Sequence, residues 1–239
     1  MPDDKPEKSL WTRKVEADPE HSIWFLQRFR DMRAAGQDIA GEARFVDAMA
    51  PRGARIFDAG CGSGRTGGPL AALGHTVVGV DVDPVLIDAA REDFPDATWL
   101  VGDLAELDPA GPALAGGFDV AVAAGNVLPF LAPSTRRTVL GNIRSVLKPG
   151  GRAVVGFGAG RGYPFDEFFA DAAAAGWGVD VTLRGWNLLP FDADSDFLVA
   201  VLAQTGPRRS VPAPASVPLG SLRRGTDPMG GHSLRPMRG

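Results

Sequence analysis

Between Arg55 and Gly158, short apolar runs alternate with helix-patterned segments at a spacing that leaves few folds open. "RIFDAG", "TVVGVD", "ATWLVGD", "FDVAVAAG" and "RAVVGFG" read as five strands. "GGPLAALG", "DPVLIDAARE" and "PSTRRTVLGNIRSVL" read as helices, the last with Val139, Leu140, Ile143, Val146 and Leu147 facing inward. In "DPVLIDAARE", Asp83 reads as the N-cap and Pro84 as the first helical residue. Strands that are apolar on both faces, with helices between them, require a parallel sheet covered on both sides.

The chain ends differently. "FDEFFADAAAAGW" is a helix whose Phe165, Phe168 and Phe169 read as core, and "VDVTLRGW" and "DFLVAVLAQ" follow with no helix between them. Those two strands are expected to pair antiparallel at the sheet edge, whereas a dinucleotide-binding domain finishes with parallel strands. Upstream, the first 15 or so residues read as mobile. Asp18 and Pro19 then open a helix to about Ala34, striped by Ile23, Leu26, Phe29 and Met32, and "GEARFVDAM" is a second short helix. The expected organisation is a helical lid over residues 1–50, a sheet domain over 51–205 and a disordered tail over 206–239.

Composition narrows the function. A chain of 239 residues supports one good-sized core. It has no apolar run of about 18 residues, so no membrane span is expected, and its charged N-terminus does not read as a secretory signal. Cys61 is the single cysteine, which excludes an internal disulfide framework and suits a reducing cytoplasm. His21, His75 and His232 are too scattered to suggest a metal centre. From Pro207 onward the tail has six arginines and one acid, a formal +5 against −4 for the whole chain, which leaves −9 on residues 1–206. A body this acidic argues against a nucleic-acid partner, whose phosphates require a basic groove.

The chemistry concentrates in "ARIFDAGCGSGRTGG", Ala54 to Gly68. Counted from Gly62 it holds G-x-G-x-x-G, the pattern of pyrophosphate-binding turns; counted from Asp58 it reads D-x-G-x-G-x-G. A glycine-rich turn between strand and helix lets backbone N–H groups approach a ligand closely. A carboxylate beside a pyrophosphate is electrostatically costly, but it suits a ligand with a cationic end, such as the sulfonium and ammonium of S-adenosylmethionine. The alternative is that Asp58 merely fixes the turn by bonding backbone amides. Asp81 ends the second strand, where a carboxylate can accept from both ribose hydroxyls, a position shared with nicotinamide enzymes. Asp103 follows the third strand and can accept from an adenine amino group. One acid after each of three successive strands is a stronger signal than the glycines alone.

These stretches, with "VVGVDVDPVLIDAA", "GDLAEL", "FDVAVAAGNVL" and "LKPGGRAVVGF", resemble the class I S-adenosylmethionine-dependent methyltransferases from about Ala54 to Gly158. The resemblance implies a Rossmann-like, doubly wound, seven-stranded α/β sheet, mostly parallel with an antiparallel last strand and helices on both faces. It implies S-adenosyl-L-methionine as cofactor. Asp58, Gly60, Cys61, Gly62 and Gly64 would line its methionine side, Asp81 its ribose, Val82, Asp103 and Leu104 its adenine, and Ala124, Gly125 and Asn126 the transferred methyl. The expected activity is in-line methyl transfer to a small-molecule acceptor. "AGNVLPF" departs from the Asn-Pro-Pro-Tyr motif of methyltransferases that modify exocyclic base nitrogens, which again argues against nucleic acid.

His21, Asn126 and Tyr163 are the candidates for a catalytic group, and Trp24, Arg28 and Asn126 for acceptor or lid contacts. Two readings of the helix carrying Trp24, Phe25 and Arg28 stay open: a lid over the cleft, or packing on the sheet edge. Cys61 is read as a small residue in a tight loop and not as a nucleophile. Two other classes stand beside the methyltransferase: a non-catalytic S-adenosylmethionine-fold binding or regulatory protein, and a nicotinamide-dependent oxidoreductase.

Overall fold

In a computed structural model, residues 7–205 are described; the tail expected over 206–239, like residues 1–6, lies outside them. Seven strands form one sheet: β1 (Arg55–Ala59), β2 (Thr76–Asp81), β3 (Thr98–Val101), β4 (Phe118–Ala123), β5 (Leu147–Gly158), β6 (Trp177–Leu183) and β7 (Phe197–Gln204). Their order is β3-β2-β1-β4-β5-β7-β6. The first five run parallel. β7 inserts between β5 and β6 and is antiparallel to both, the ending read from the sequence.

The strands are apolar on both faces because both faces are covered. Phe57 and Ala59 of β1, Ala121 and Ala123 of β4, and Ala153, Val155 and Phe157 of β5 join one core layer. Their alternates Ile56, Val120, Val122 and Val154 join the other, as the two-residue period of a strand requires. The first layer is closed by α6 (Val127–Phe130), α7 (Arg136–Ser145) and α8 (Phe165–Ala174), through residues such as Leu128, Leu140 and Phe168. The second is closed by α3 (Gly41–Met49), α4 (Gly67–Ala72) and α5 (Pro84–Asp93), through Val46, Leu70 and Ile87.

Strand order reverses between β1 and β4, which opens a crevice at their carboxyl ends, the place where open α/β sheets bind ligands. Two further helices, α1 (Leu10–Ala17) and α2 (His21–Ala34), precede the sheet. The first corrects the expectation of a mobile start: Ser9 caps α1 by accepting from the Thr12 N–H at 3.0 Å, and Trp11 is buried. Its stability comes from contacts with residues far along the chain, which local composition does not reveal. Asp18 is the C-cap of α1, and α2 begins at His21.

Candidate cofactor site

Gly60, Gly62 and Gly64 have φ of 70°, 52° and 76°, the left-handed region that L side chains avoid. The turn after β1 therefore curls back on itself: the Gly60 and Cys61 N–H groups donate to the Val80 carbonyl at 2.8 and 3.2 Å, and two carboxylates hold the turn in that shape. Asp58 Oδ2 accepts from the Gly67 N–H at 2.9 Å, at the start of α4. Asp81 Oδ2 accepts from the Gly62 N–H at 2.8 Å, and its Oδ1 from the Asp83 N–H at 2.9 Å. The turn-fixing reading of Asp58 thus describes a bond that exists, and the carboxylate still borders the open cleft.

That cleft has an empty volume of about 910 Å³, open solvent at its mouth included. Asp58, Asp81 and Asp103 line it from the ends of β1, β2 and β3. Gly60, Cys61, Gly62, Val82, Leu104, Ala124 and Gly125, all singled out in the sequence, line it too. Gly64 does not: a Cβ there would come within 3.0 Å of the Trp99 and Phe94 rings, so it serves close packing behind the loop.

Electrostatics sets the ligand's charge. Burial pushes the Asp58 carboxyl up to about 7, against the opposing pull of the Gly67 N–H and the Arg65 charge. Burial likewise pushes Asp81 up to about 6, opposed by the N–H groups of Asp83 and Gly62. Arg65 is the one basic side chain among the described residues lining the cleft, and it is already engaged. It donates to Glu42 Oε1 at 2.7 Å and to the Ile39 carbonyl at 2.8 Å, and its guanidinium sits 5.0 Å over the Phe29 ring. Two under-compensated carboxylates favour a cationic guest and disfavour a pyrophosphate. Acids at three strand ends bordering one cleft fit S-adenosylmethionine.

The opposite wall is aromatic. Trp11 of α1 meets Phe25 of α2 edge-on at 5.0 Å and Phe130 of α6 at 5.5 Å, and Phe25 meets Phe29 at 5.1 Å; all four line the cleft. The sequence reading missed Trp11, and it grouped Phe25 with Trp24 and Arg28, which the helical phase separates. Trp24 and Arg28 share a face of α2, but that face looks outward: Trp24 is 56% exposed, and both border a separate shallow groove with Gln27 and Met32. Phe25 and Phe29, one residue later on the same i, i+4 spacing, face in. Ser22, not Ile23, completes the inward stripe.

The three candidate catalytic groups are not among the residues lining the cleft. His21 is sandwiched between the Trp11 and Trp24 rings, and burial lowers its pKa. Asn126 adopts a left-handed φ of 68° and turns its Oδ1 to the Gly158 N–H at 2.8 Å. Tyr163 is buried in the core, donates to Asp171 Oδ2 at 2.9 Å and lies under the Arg136 guanidinium. Burial and that carboxylate raise its pKa, so it does not offer a base to the cleft. The Cys61 thiol is buried and its pKa pushed well up, which leaves it unreactive.

The same fold occurs in known proteins. Residues 56–151 match a family model described as a methyltransferase domain. A TehB-like S-adenosylmethionine-dependent methyltransferase from Corynebacterium glutamicum, known from a crystal structure, is 50% identical; the match covers 78% of this chain and all of that one, with a TM-score of 0.74. The chain belongs to the class I S-adenosylmethionine-dependent methyltransferases. Two further relatives are an uncharacterized methyltransferase from Synechocystis, 35% identical over 125 residues, and the magnesium-protoporphyrin O-methyltransferase of Rhodobacter capsulatus, 33% identical over 144. These alignments cover 50% and 57% of this chain, and the chain spans a little over half of each relative, 56% and 58%. Methyltransferase membership accounts for the antiparallel last strand. Among the described residues no helix is long and apolar enough to cross a membrane, and no cluster of three metal-ligating side chains occurs.

Proposed function

We propose that this methyltransferase transfers a methyl group from S-adenosylmethionine to a small-molecule acceptor by in-line displacement in the cleft above β1 and β4. The observation that carries this reading is the convergence of Asp58, Asp81 and Asp103 on one cleft whose far wall is Trp11, Phe25, Phe29 and Phe130. When bound, S-adenosylmethionine supplies a methyl group already activated by its sulfonium. Asp81 would accept from the ribose hydroxyls, Asp103 from the adenine amino group beside Val82 and Leu104, and Asp58 with the Gly60–Gly62 turn would face the methionine end. Ala124 and Gly125 would border the reacting carbon.

The cleft's described side chains include no histidine, lysine or tyrosine. The protein's main contribution is then alignment and exclusion of water, and any proton the acceptor must lose would have to pass to one of the three carboxylates. Enclosure by aromatic rings on α1, α2 and α6 leaves a space suited to a small molecule and not to a polymer strand. The magnesium-protoporphyrin enzyme among the relatives supports this acceptor class. The lid would comprise α1 to α3 within residues 1–50, and the catalytic domain residues 51–205.

Calorimetry with S-adenosylmethionine, its demethylated product and NAD tests the cofactor, and a mass-shift screen of small-molecule acceptors tests the reaction. Binding of NAD with no response to S-adenosylmethionine would overturn the reading. Cofactor binding with no product across the screen would favour a non-catalytic binding protein.

A further inference from the structure

Asp83 makes more bonds than a helix cap needs. Its Oδ1 accepts from the Val85 and Leu86 N–H groups at 2.9 and 3.4 Å and starts α5, as the sequence suggests. Its Oδ2 faces the other way and accepts from Trp11 Nε1 at 2.9 Å and from the Ser22 hydroxyl at 2.5 Å. Those donors sit on α1 and α2, 72 and 61 positions earlier in the chain. Asp83 is 3% exposed, and its own N–H donates to Asp81 Oδ1. One aspartate thus joins the carboxylate at the end of β2 to both N-terminal helices.

The consequence lies in what Trp11 spans. Its indole N–H is tied to the β2 side of the cleft through Asp83, and its ring lies against Phe130 on the β4 side. α1 therefore crosses the cleft mouth, pinned at both banks, with Glu7 just before it accepting from the Ser134 hydroxyl at 2.6 Å. We propose that Asp83 is a positioning residue that latches α1 and α2 over the cleft, so that seating the aromatic wall and ordering the Asp81 ribose site are one event. This rests on the reading of the cleft as an S-adenosylmethionine site. Coupling of this kind is reciprocal: whatever fills the Asp81 site holds the latch, and whatever breaks the latch weakens binding.

Asp83→Asn separates the two roles. Asparagine caps a helix as well as aspartate does, but its Nδ2 is a donor and cannot receive the indole N–H, which is donor only. The Ser22 hydroxyl can rotate and accept instead, so α1 is released more than α2. Hydrogen exchange with and without S-adenosylmethionine, alongside calorimetry on the full chain, reads the effect. In the wild type the cofactor should slow exchange across Leu10–Ala34. In Asp83→Asn that protection should be lost over Leu10–Ala17, affinity should fall at least ten-fold, and the amides of Leu86 and Ile87 should stay protected. Trp11→Phe keeps an aromatic wall without the N–H and should match Asp83→Asn; Ser22→Ala, outside the cleft, should lose about two- to five-fold. These two variants carry the test should Asp83→Asn fail to fold. Affinity within two-fold of wild type in Asp83→Asn or Trp11→Phe, with cofactor-induced protection of Leu10–Ala17 intact, would overturn the latch. A wild-type chain that does not bind S-adenosylmethionine overturns the reading of the cleft itself, and the latch with it.

Discussion

The carboxylate of Asp81 accepts a hydrogen bond from the Gly62 backbone at 2.8 Å, so the side chain that ends β2 also fixes the turn that follows β1. Ribose recognition and the shape of the glycine turn therefore share one residue. Asp81→Ala should remove two charge-assisted bonds to the ribose, each worth about 1.5–3 kcal/mol, and loosen the turn as well. Affinity for S-adenosylmethionine should fall by about a hundred-fold or more, at 1.4 kcal/mol per decade. Calorimetry on the folded variant measures this, and unchanged affinity would place the ribose elsewhere.

The raised pKa values of Asp58 and Asp81 give a pH signature. In the unfolded chain both carboxyls titrate near 3.8; in the fold burial moves them to about 7 and about 6. The folded state therefore holds more protons in between, and the stability these groups confer is present below about pH 4 and lost as pH rises through 6 and 7. A cationic guest prefers the ionised forms. The melting temperature of the free protein should fall from pH 5 to pH 8, while the rise produced by S-adenosylmethionine should grow over the same interval. Asp58→Asn should flatten both trends. A cofactor-induced rise that is constant with pH would show that neither carboxylate meets the ligand's charge.

Much of this was legible in the sequence because the signals are local. Strand periods, the Pro84 and Asp83 helix start and the run of glycines each depend on neighbours a few residues away, and all reappear in the fold. Asp58, Asp81 and Asp103 in the cleft lining follow from the same signals, since each sits at or just beyond a strand's carboxyl end, and the family resemblance pointed to Val82, Leu104, Ala124 and Gly125. The far wall was legible only in part: Phe29 lay on the expected stripe and Phe25 among the lid-or-packing residues, but Trp11 and Phe130 were not foreseen. Trp11 belongs to it because of Asp83 and Phe130, which lie 72 and 119 positions onward, and nothing near Trp11 announces them. α2 was legible as a helix but not in phase, because the deciding inward residue, Ser22, is polar and is buried only through its bond to Asp83. Tyr163 looked reactive by residue type, yet its burial under Arg136 is a product of tertiary packing.

Close packing behind the site should be as sensitive as the site. A Cβ on Gly79 of β2 would stand 2.4 Å from the Trp99 ring and 2.8 Å from the Cys61 sulfur. The Trp99 ring cannot easily retreat, because its Nε1 donates to the Phe94 carbonyl at 2.9 Å. Gly79→Ala should therefore destabilise the protein by about 1–3 kcal/mol through overpacking, a loss of roughly 2–12 °C in melting temperature for a chain of this size. Thermal unfolding checks this. A melting temperature equal to wild type would mean that β2 and Trp99 can separate freely.

The phase of α2 yields the last prediction, because neighbouring aromatic residues on one helix should behave in opposite ways. Phe25 is half-buried, lines the cleft and packs on Trp11 and Phe29; Trp24 is mostly exposed and borders the outer groove. Removing the Phe25 ring takes away part of the wall over the bound cofactor and part of the contact that holds α1. Recovering about half of a buried aromatic's transfer energy gives roughly 1–2 kcal/mol, a five- to thirty-fold weaker affinity for S-adenosylmethionine in Phe25→Ala. Trp24→Ala and Arg28→Ala should bind within about two-fold of wild type, since neither side chain reaches the cleft. Calorimetry on the three variants decides it. A loss confined to Trp24→Ala, with Phe25→Ala unaffected, would mean that α2 turns its other face to the ligand and that the aromatic wall is only packing.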